Sequence, residues 1–126
     1  MPLLVRRDRN HPSVVIWSIC NEKLCDSSSS TNDALRLKAL FHSLDPLGGR
    51  PVSANSRDNQ PFPVGTSSPL DLQGIDYTTE QYNAYHARAP THPMISSESS
   101  SAYSDRDEYG DDSSHVDGYD KKWVGR

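Results

Sequence analysis

The sequence predicts an α/β fold with a parallel sheet, and three observations support this prediction. Residues 14–19 form an apolar run, interrupted only by Ser18, that is rich in β-branched side chains, as expected for a strand buried on both faces. Strand-like and helix-like segments then alternate along the chain, which is typical of parallel strands joined by right-handed crossovers. Two strand-like segments lead into a glutamate, Glu22 and Glu98, and the carboxyl ends of parallel strands meet at one edge of a sheet.

The composition limits the size of the core and the class of partner. The chain has 126 residues, of which 33% are apolar, and a formal net charge of −4 with both signs mixed throughout. One small domain with a modest core is expected, and a nucleic-acid binder, which would carry a basic face, is disfavoured. No apolar run is long enough to span a membrane, and residues 1–7 place their charges after the apolar part, the reverse of a secretory signal. The compartment stays unassigned.

The first part of the chain is predicted to contain a helix, a strand and a longer helix. Residues 3–9 are typical of the last turns of a helix, because their arginines suit its negative end, and Pro12 excludes a helix at His11. The strand at residues 14–19 is followed by a polar, Ser-rich loop. Asn32 is a good N-cap for the next helix. Four apolar residues then recur at the spacing of one helical face: Leu37, Leu40, Phe41 and Leu44.

The rest of the chain predicts three more strands and one more helix. The strands cover residues 50–55, 70–77 and 93–97, and the last of them finishes at Glu98. A helix capped by Thr78 or Thr79 precedes the last strand. One face of that helix carries Tyr82, Tyr85, His86 and Ala89. An open sheet of four parallel strands has both edges bare, and only two helices are long enough to cover its faces, so the sheet is predicted to be half of a larger one.

The two cysteines, Cys20 and Cys25, are close enough to be bridged, but free thiols are the more common state of a lone pair. A zinc site would need further ligands, and His11 is the only nearby candidate. No metal site is therefore predicted from these residues.

Several ordered segments resemble the signature of glycoside hydrolase family 2 catalytic domains, with the β-galactosidase branch most similar. They are Arg6-Arg7-Asp8-Arg9-Asn10-His11-Pro12-Ser13-Val14 with Ile16-Trp17-Ser18 and Asn21-Glu22, Leu44-Asp45-Pro46 with Arg50-Pro51-Val52-Ser53, Asp71-Leu72-Gln73-Gly74-Ile75-Asp76-Tyr77, Pro93-Met94-Ile95-Ser96-Ser97-Glu98 and, more weakly, Tyr119-Asp120 with Trp123. The resemblance implies that residues 1–126 are one incomplete (β/α)₈ barrel segment that covers strands four to seven, with a loop-rich end at residues 99–126.

The resemblance also implies an activity and its residues. Glu22 would be the acid/base and Glu98 the nucleophile of a retaining exo-β-glycosidase that hydrolyses terminal β-D-galactosides in carbohydrate metabolism. Asn21 would hydrogen-bond the 2-hydroxyl of the sugar, and Tyr77 would hydrogen-bond the nucleophile. Retaining hydrolysis needs two carboxyls about 5–5.5 Å apart, and strand ends of one barrel can bring Glu22 and Glu98 together. A β-glucuronidase or β-mannosidase segment is the alternative within the same chemistry.

The same resemblance sets expectations about cofactors and partners. No cofactor is predicted for this chain; a divalent metal beside the acid/base would take most of its ligands from strands outside it. The expected partners are a β-galactoside or related β-glycoside, the remaining barrel strands and the flanking β-sandwich domains, with no nucleic acid and no membrane. Cys20 stands where the galactosidase branch often has glycine. Trp17 is expected to point into the barrel core.

Two readings without catalysis compete with the enzyme. A non-catalytic truncated remnant of such an enzyme is favoured by the bare sheet edges, and the isolated chain is expected to be inactive. A disordered interaction protein is suggested by the low apolar content, but the run at residues 14–19 argues against it.

Overall fold

A computed structural model describes residues 2–22, 31–45, 49–57 and 65–99. The elements in chain order are helix α1 (Pro2–Asp8), strand β1 (Trp17–Asn21), helix α2 (Thr31–Leu44), strand β2 (Val52–Ser56), strand β3 (Leu72–Asp76), helix α3 (Tyr82–Arg88) and strand β4 (Met94–Glu98), with 3₁₀ turns at Gly65–Ser67 and Thr79–Gln81. The predicted α/β class and the predicted order of elements are confirmed.

The four strands form one parallel sheet in the order β1-β2-β3-β4. A complete barrel of this type has eight such strands, so the described residues form a four-stranded partial barrel. Within them, β1 and β4 are the two edges, and residues Met94–Ser97 of β4 are all solvent-exposed. Among the described residues, no helix is both long and apolar enough to cross a membrane.

The main core lies between the sheet and helices α1 and α2. Trp17 and Phe41 meet edge to face, with ring centroids 5.7 Å apart at 67°, a favourable aromatic geometry. The other fully buried members of this core are Val5, Ile19, Ala34, Val52, Ala54 and Leu70. The outer face of the sheet therefore carries most of the buried apolar surface that holds the described residues together.

Trp17 corrects one expectation, because its ring points to the outer helices and not into the barrel. Strand β1 begins at Trp17, where the Trp17 amide donates to the carbonyl of Pro51 over 2.9 Å. Residues 14–16 precede the strand, and Val15 is 66% exposed. The apolar run predicted a strand there because it is β-branched, but residues 14–16 form an irregular connection between the turn after α1 and the strand.

A smaller cluster lies under α3. Tyr85 packs on Ile75, with Tyr82 and Ala89 against them, so the predicted helical face is confirmed for these residues, whereas His86 is exposed. The Tyr85 hydroxyl and Nδ1 of His92 are hydrogen-bonded at 2.7 Å. Burial of Tyr85 raises the pKa of its hydroxyl to about 12.

A buried ion pair joins the end of α2 to the start of β2. The Arg50 guanidinium donates to both Asp45 oxygens at 3.1 Å, and Trp17 Nε1 donates to Asp45 Oδ2 over 3.1 Å. The same guanidinium donates to the Arg9 carbonyl over 2.6 Å. The Asp45 and Arg50 segments of the resemblance therefore have a structural role: they fasten α1, α2 and two strands to one another.

Some predictions fall outside the described residues. These are the Ser-rich loop after β1, Cys25, the proline-rich loop before residue 65, Trp123 and nearly all of the loop-rich end at residues 99–126. Cys20 is disulfide-bonded, so the free-thiol expectation is wrong for Cys20.

Candidate active site

An irregularity in β1 turns its C-terminal end toward the inner face of the sheet. Ser18 pairs with Ser53, and Asn21 pairs with Asn55. Two residues of β1 therefore stand opposite one residue of β2, Ala54. Because neighbours in register share a face and side chains alternate along a strand, the extra residue moves Asn21 onto the face that Ser18 occupies, which is opposite to the core-facing side of Trp17.

A second irregularity does the same in β4. Ile75 pairs with Ser96, but the next residue, Asp76, pairs with Glu98. Ser97 is the extra residue between them. In a regular strand Ser97 would occupy the register of Asp76, and Glu98 would lie on the opposite face. Bulges of this kind are over-represented beside active sites because they re-aim a side chain, and here the re-aimed residue is Glu98.

The backbone at two strand ends adopts the left-handed region. Glu22, directly after β1, has a φ of 47°, and Tyr77, directly after β3, has a φ of 61°. Such values cost free energy in residues other than glycine and cluster at functional sites. The Tyr77 amide donates to the carbonyl of Glu98 over 2.6 Å, which ties the ends of β3 and β4 together.

Three carboxyl groups converge at this edge of the sheet. Oxygen atoms of Glu22, Asp76 and Glu98 all lie within 4.8 Å of one another. Glu22 and Glu98 are half-buried, whereas Asp76 is completely buried. The structure therefore brings together the two predicted glutamates, which lie 76 positions apart in the sequence.

Asp76 is the site residue that sequence reasoning missed. Its Oδ1 accepts a hydrogen bond from the Ser97 hydroxyl over 2.5 Å, while its buried Oδ2 has no hydrogen-bond partner. Burial is the main cause that raises the pKa of Asp76, and the negative charges of Glu98 and Glu22 raise it further against the opposing effects of Ser97 and Arg57. The rule that identified Glu22 and Glu98, a carboxyl at a strand's C-terminal end, also applies to Asp76.

Arg57 brings a positive charge to the rim of the site. It follows β2 directly, and its Nη1 lies 3.9 Å from Oε1 of Glu22. Its guanidinium carbon lies 4.7 Å from the centroid of the Tyr77 ring, a cation–π arrangement. The predicted roles of Asn21 and Tyr77 toward the sugar and the nucleophile stay predictions; what the structure adds is their position beside the two glutamates.

The carboxyl cluster does not fit the metal that the resemblance implies. Within the part of the chain that the structure describes, Glu22, Asp76 and Glu98 are the only group of three His, Cys, Asp or Glu side chains that could share an ion. A cation held by all three would occupy both predicted catalytic glutamates. Burial also raises the pKa of Asp76, which opposes the deprotonation that a metal ligand needs. No step of the proposed reaction runs through a metal.

Parallel strands that present paired carboxyls at their C-terminal ends are the arrangement expected of a segment of a glycosidase barrel. The comparison with protein families agrees: the model for the "Glycosyl hydrolases family 2, TIM barrel domain" matches residues 1–124. The chain belongs to this family.

Individual relatives support the same assignment at modest identity. The chain is 29% identical over 152 residues to "Beta-galactosidase BoGH2A" of Bacteroides ovatus, an alignment that covers 94% of this chain and 18% of that protein. It is 42% identical over 59 residues to the human "Beta-glucuronidase", which covers 47% of this chain and 9% of that protein. The chain therefore spans less than a fifth of the length of these relatives.

A solved structure shares the fold. The crystal structure of a glycosyl hydrolase family 2 member from Bacteroides cellulosilyticus superimposes with a TM-score of 0.64 at 33% identity, covering 74% of this chain and 13% of that one. This agreement places the four-stranded sheet within a family 2 barrel.

Proposed function

We propose that this chain supplies the catalytic carboxyls of a retaining exo-β-glycosidase that hydrolyses terminal β-D-galactosides. One observation carries the proposal: oxygen atoms of Glu22 and Glu98 lie within 4.8 Å of each other at the C-terminal edge of the sheet. Retaining enzymes hold their carboxyls about 5–5.5 Å apart, and inverting enzymes about 6.5–9.5 Å apart, to leave room for a water molecule. The observed separation favours the retaining class.

In the first step of the proposed reaction, the Glu98 carboxylate attacks the anomeric carbon and forms a glycosyl ester. Glu22, in its protonated form, donates its proton to the glycosidic oxygen as the aglycone leaves. In the second step, the Glu22 carboxylate takes a proton from water, which attacks the anomeric carbon and releases Glu98 as a carboxylate. Both carboxyls regain their starting protonation state, so the cycle balances.

The surrounding residues fit supporting roles in this mechanism. Asn21 lies on the same face as the site, one residue before Glu22, and its proposed partner is the 2-hydroxyl of the sugar; such a bond strengthens in the transition state. Tyr77 follows β3 in a left-handed conformation beside the end of β4. The proposed role of Tyr77 is to hydrogen-bond Glu98 and hold this nucleophile in position.

The choice of galactose rests on relatives. The protein named as a β-galactosidase aligns with 94% of this chain, whereas the human β-glucuronidase aligns with 47%. β-Glucuronides are the competing substrates, and Arg57 at the rim would attract their carboxylate. β-Mannosides are the third candidate.

The test uses the protein expressed from its complete gene. We expect hydrolysis of 4-nitrophenyl β-D-galactoside in preference to the matching glucuronide and mannoside, with the β-anomer as the first product seen by proton NMR. An α-anomer as first product would refute retention, and a preference for the glucuronide would replace the assigned sugar.

Two variants separate the roles of the glutamates. Glu98→Gly should be inactive, and added azide should restore turnover with formation of the α-glycosyl azide, because azide enters the vacated nucleophile position. Glu22→Gly should accept azide at the opposite face and yield the β-glycosyl azide. Full activity of Glu98→Gly would remove Glu98 from the mechanism.

The bare sheet edges favour a second candidate function, that of a segment which does not hydrolyse substrate by itself. Ile95 lies on the inner face, in register with Gly74, and is 39% exposed; its neighbour Met94 is 37% exposed. We infer that residues 1–126 form a single incomplete barrel segment whose partners are the other strands and the flanking β-sandwich domains.

The 126-residue chain by itself is therefore expected to be inactive and to melt without cooperativity. Circular dichroism melting and the galactoside assay test this directly. A sharp melt of a monomer that hydrolyses the substrate would contradict it.

A further inference from the structure

We propose that Asp76 is a positioning residue of the site: it stays a neutral carboxylic acid between the two glutamates and donates a hydrogen bond that holds the Glu98 carboxylate in place. The inference rests on the proposed function for its catalytic consequence, but not for its structural content.

The position of Asp76 favours Glu98 over Glu22 as its partner. Asp76 and Glu98 are paired in register on neighbouring strands, and the bond from the Tyr77 amide to the Glu98 carbonyl fixes the two strand ends at this point. Ser97, the extra residue of β4, reaches back to Asp76 Oδ1. Side chains on adjacent strands in register are close neighbours, so Asp76 is placed where it can orient Glu98.

The hydrogen-bond inventory of Asp76 calls for a proton on the other oxygen. Oδ1 is satisfied by Ser97, while Oδ2 is buried and has no partner. An ionised carboxyl can only accept hydrogen bonds, and a buried charge without a partner is costly. A protonated Oδ2 becomes a donor, and the Glu98 carboxylate, which has an oxygen within 4.8 Å of an Asp76 oxygen, is the acceptor that the proposal assigns to it.

The electrostatics of the cluster act in the same direction. Burial raises the pKa of Asp76, and the negative charges of Glu98 and Glu22 raise it further. Asp76 is completely buried, whereas the two glutamates are half-buried. We therefore place the proton on the group with the least access to solvent.

A donor aimed at Glu98 stabilises its charged form and limits its rotation, as the attack requires. The expected consequence is a slower first step, with little change in substrate binding, when the donor is removed. Removal of the donor should also move the acidic limb of the pH–rate profile, because hydrogen bonds to the charged form favour that form.

The experiment compares Asp76→Asn with Asp76→Ala in the protein from its complete gene. Asparagine keeps the shape and an N–H donor without a charge; alanine removes both. Asp71→Asn, a carboxyl at the opposite end of β3, is the matched control. The probe is a 2-deoxy-2-fluoro-β-galactosyl fluoride, whose trapping rate reports the attack of Glu98 without a need for acid catalysis.

We expect Asp76→Ala to slow trapping by about tenfold, as for the loss of one hydrogen bond. Its acidic limb should move up by about one pH unit. The trapping rate of Asp76→Asn should stay within about threefold of that of the unmodified protein, since the donor is retained. Equal loss in both Asp76 variants would show that a negative charge is required and would overturn the proposal, as would an unshifted acidic limb in Asp76→Ala. Activation by Mg²⁺ that disappears in both variants would identify a cation site and overturn it too.

A second readout does not depend on activity. Carbon-13 NMR of the Asp76 carboxyl, assigned by its loss in Asp76→Asn, should show protonation above the pH at which ordinary aspartates ionise. Ionisation like that of an exposed aspartate would overturn the proposal. If no β-glycoside is hydrolysed but this titration is as expected, the proposed function fails and the assignment of the neutral carboxyl stands.

Discussion

The side-chain oxygen of Asn55 lies in the space that a Cβ atom on Gly74 would occupy. Asn55 and Gly74 are paired in register on β2 and β3, and Asn55 is also paired with Asn21 on β1. Gly74 is therefore needed where it is: its missing side chain lets the Asn55 amide lie across the inner face of the sheet, next to the strand that ends in Glu22.

Gly74→Ala is expected to destabilise the protein by about 1–3 kcal/mol, the range for overpacking a tight site. The added methyl group would meet Asn55 Oδ1 and the Ala54 carbonyl. Urea denaturation measures the change. In an Asn55→Ala background the loss should shrink, because the main obstacle has been removed; fully additive effects would contradict the proposed contact.

Asp45→Ala is expected to cost about 3–5 kcal/mol, because it leaves the buried Arg50 guanidinium without its carboxylate. It also removes the acceptor of Trp17 Nε1. The matched control is Asp8→Ala, which breaks the exposed pair with Arg7 and should leave the denaturation midpoint unchanged. Equal losses in the two variants would show that burial of the Asp45 pair is irrelevant to its strength.

The stability that Asp71 contributes is expected to be lost in acid. Burial alone would raise the pKa of Asp71, but the Lys38 hydrogen bond and the Val52 amide, with the charges of Lys38 and His42, lower it below 3.8. A lowered folded-state pKa contributes stability above the ordinary value, and that stability is lost as pH falls through the lowered pKa. Asp71→Asn should therefore flatten the fall of Tm below pH 3.8. An unchanged acid slope would count against the ion pair.

The dependence of stability on pH that Asp76 contributes should have the opposite sign. Its pKa is raised above 3.8, so the stability that it contributes is complete below the ordinary value and is lost as pH rises through the raised pKa. Asp76→Asn removes that titration and should make Tm less dependent on pH as the pH rises above 3.8. Scanning calorimetry of the two single variants and of the parent separates the two trends.

Phe41→Ala should be among the most damaging single truncations in α2, at about 3–5 kcal/mol. Phe41 is fully buried and meets Trp17 edge to face, so the fluorescence of Trp17 should shift to the red in the same variant. Leu35→Ala, on the same helix at 48% exposure, should change stability by no more than about 0.5 kcal/mol. Similar costs for both would contradict the assigned core.

Periodicity and turn residues were sufficient to predict the class of fold. The helical face containing Phe41 follows from spacing, since burial of one helix face dictates that pattern. The start of β1 did not follow. Val14 and Val15 suit a strand, but the backbone bond that begins the ladder is made by Trp17 with Pro51, a long-range contact that no local pattern encodes.

The candidate site was partly predictable for a related reason. Glu22 and Glu98 follow strand-like runs and lie in segments that resemble the family signature, so the sequence predicts both. Asp76 sits at the end of a buried strand as well, but its significance depends on an unpartnered Oδ2 and on two neighbouring carboxyls. The direction of Trp17 likewise depends on which face of the sheet the helices cover, which alternation alone does not decide.

The two extra residues in β1 and β4 make the site depend on the irregularity of the strands as well as on their composition. If β4 ran as a regular strand with its sequence unchanged, Ser97 would take the register of Asp76 and Glu98 would move onto the helix-facing side of the sheet. The carboxyl cluster would then be lost while both glutamates remain in the sequence. Matching catalytic letters in an alignment therefore do not show that the paired geometry is kept, because the bulge has to be present with them.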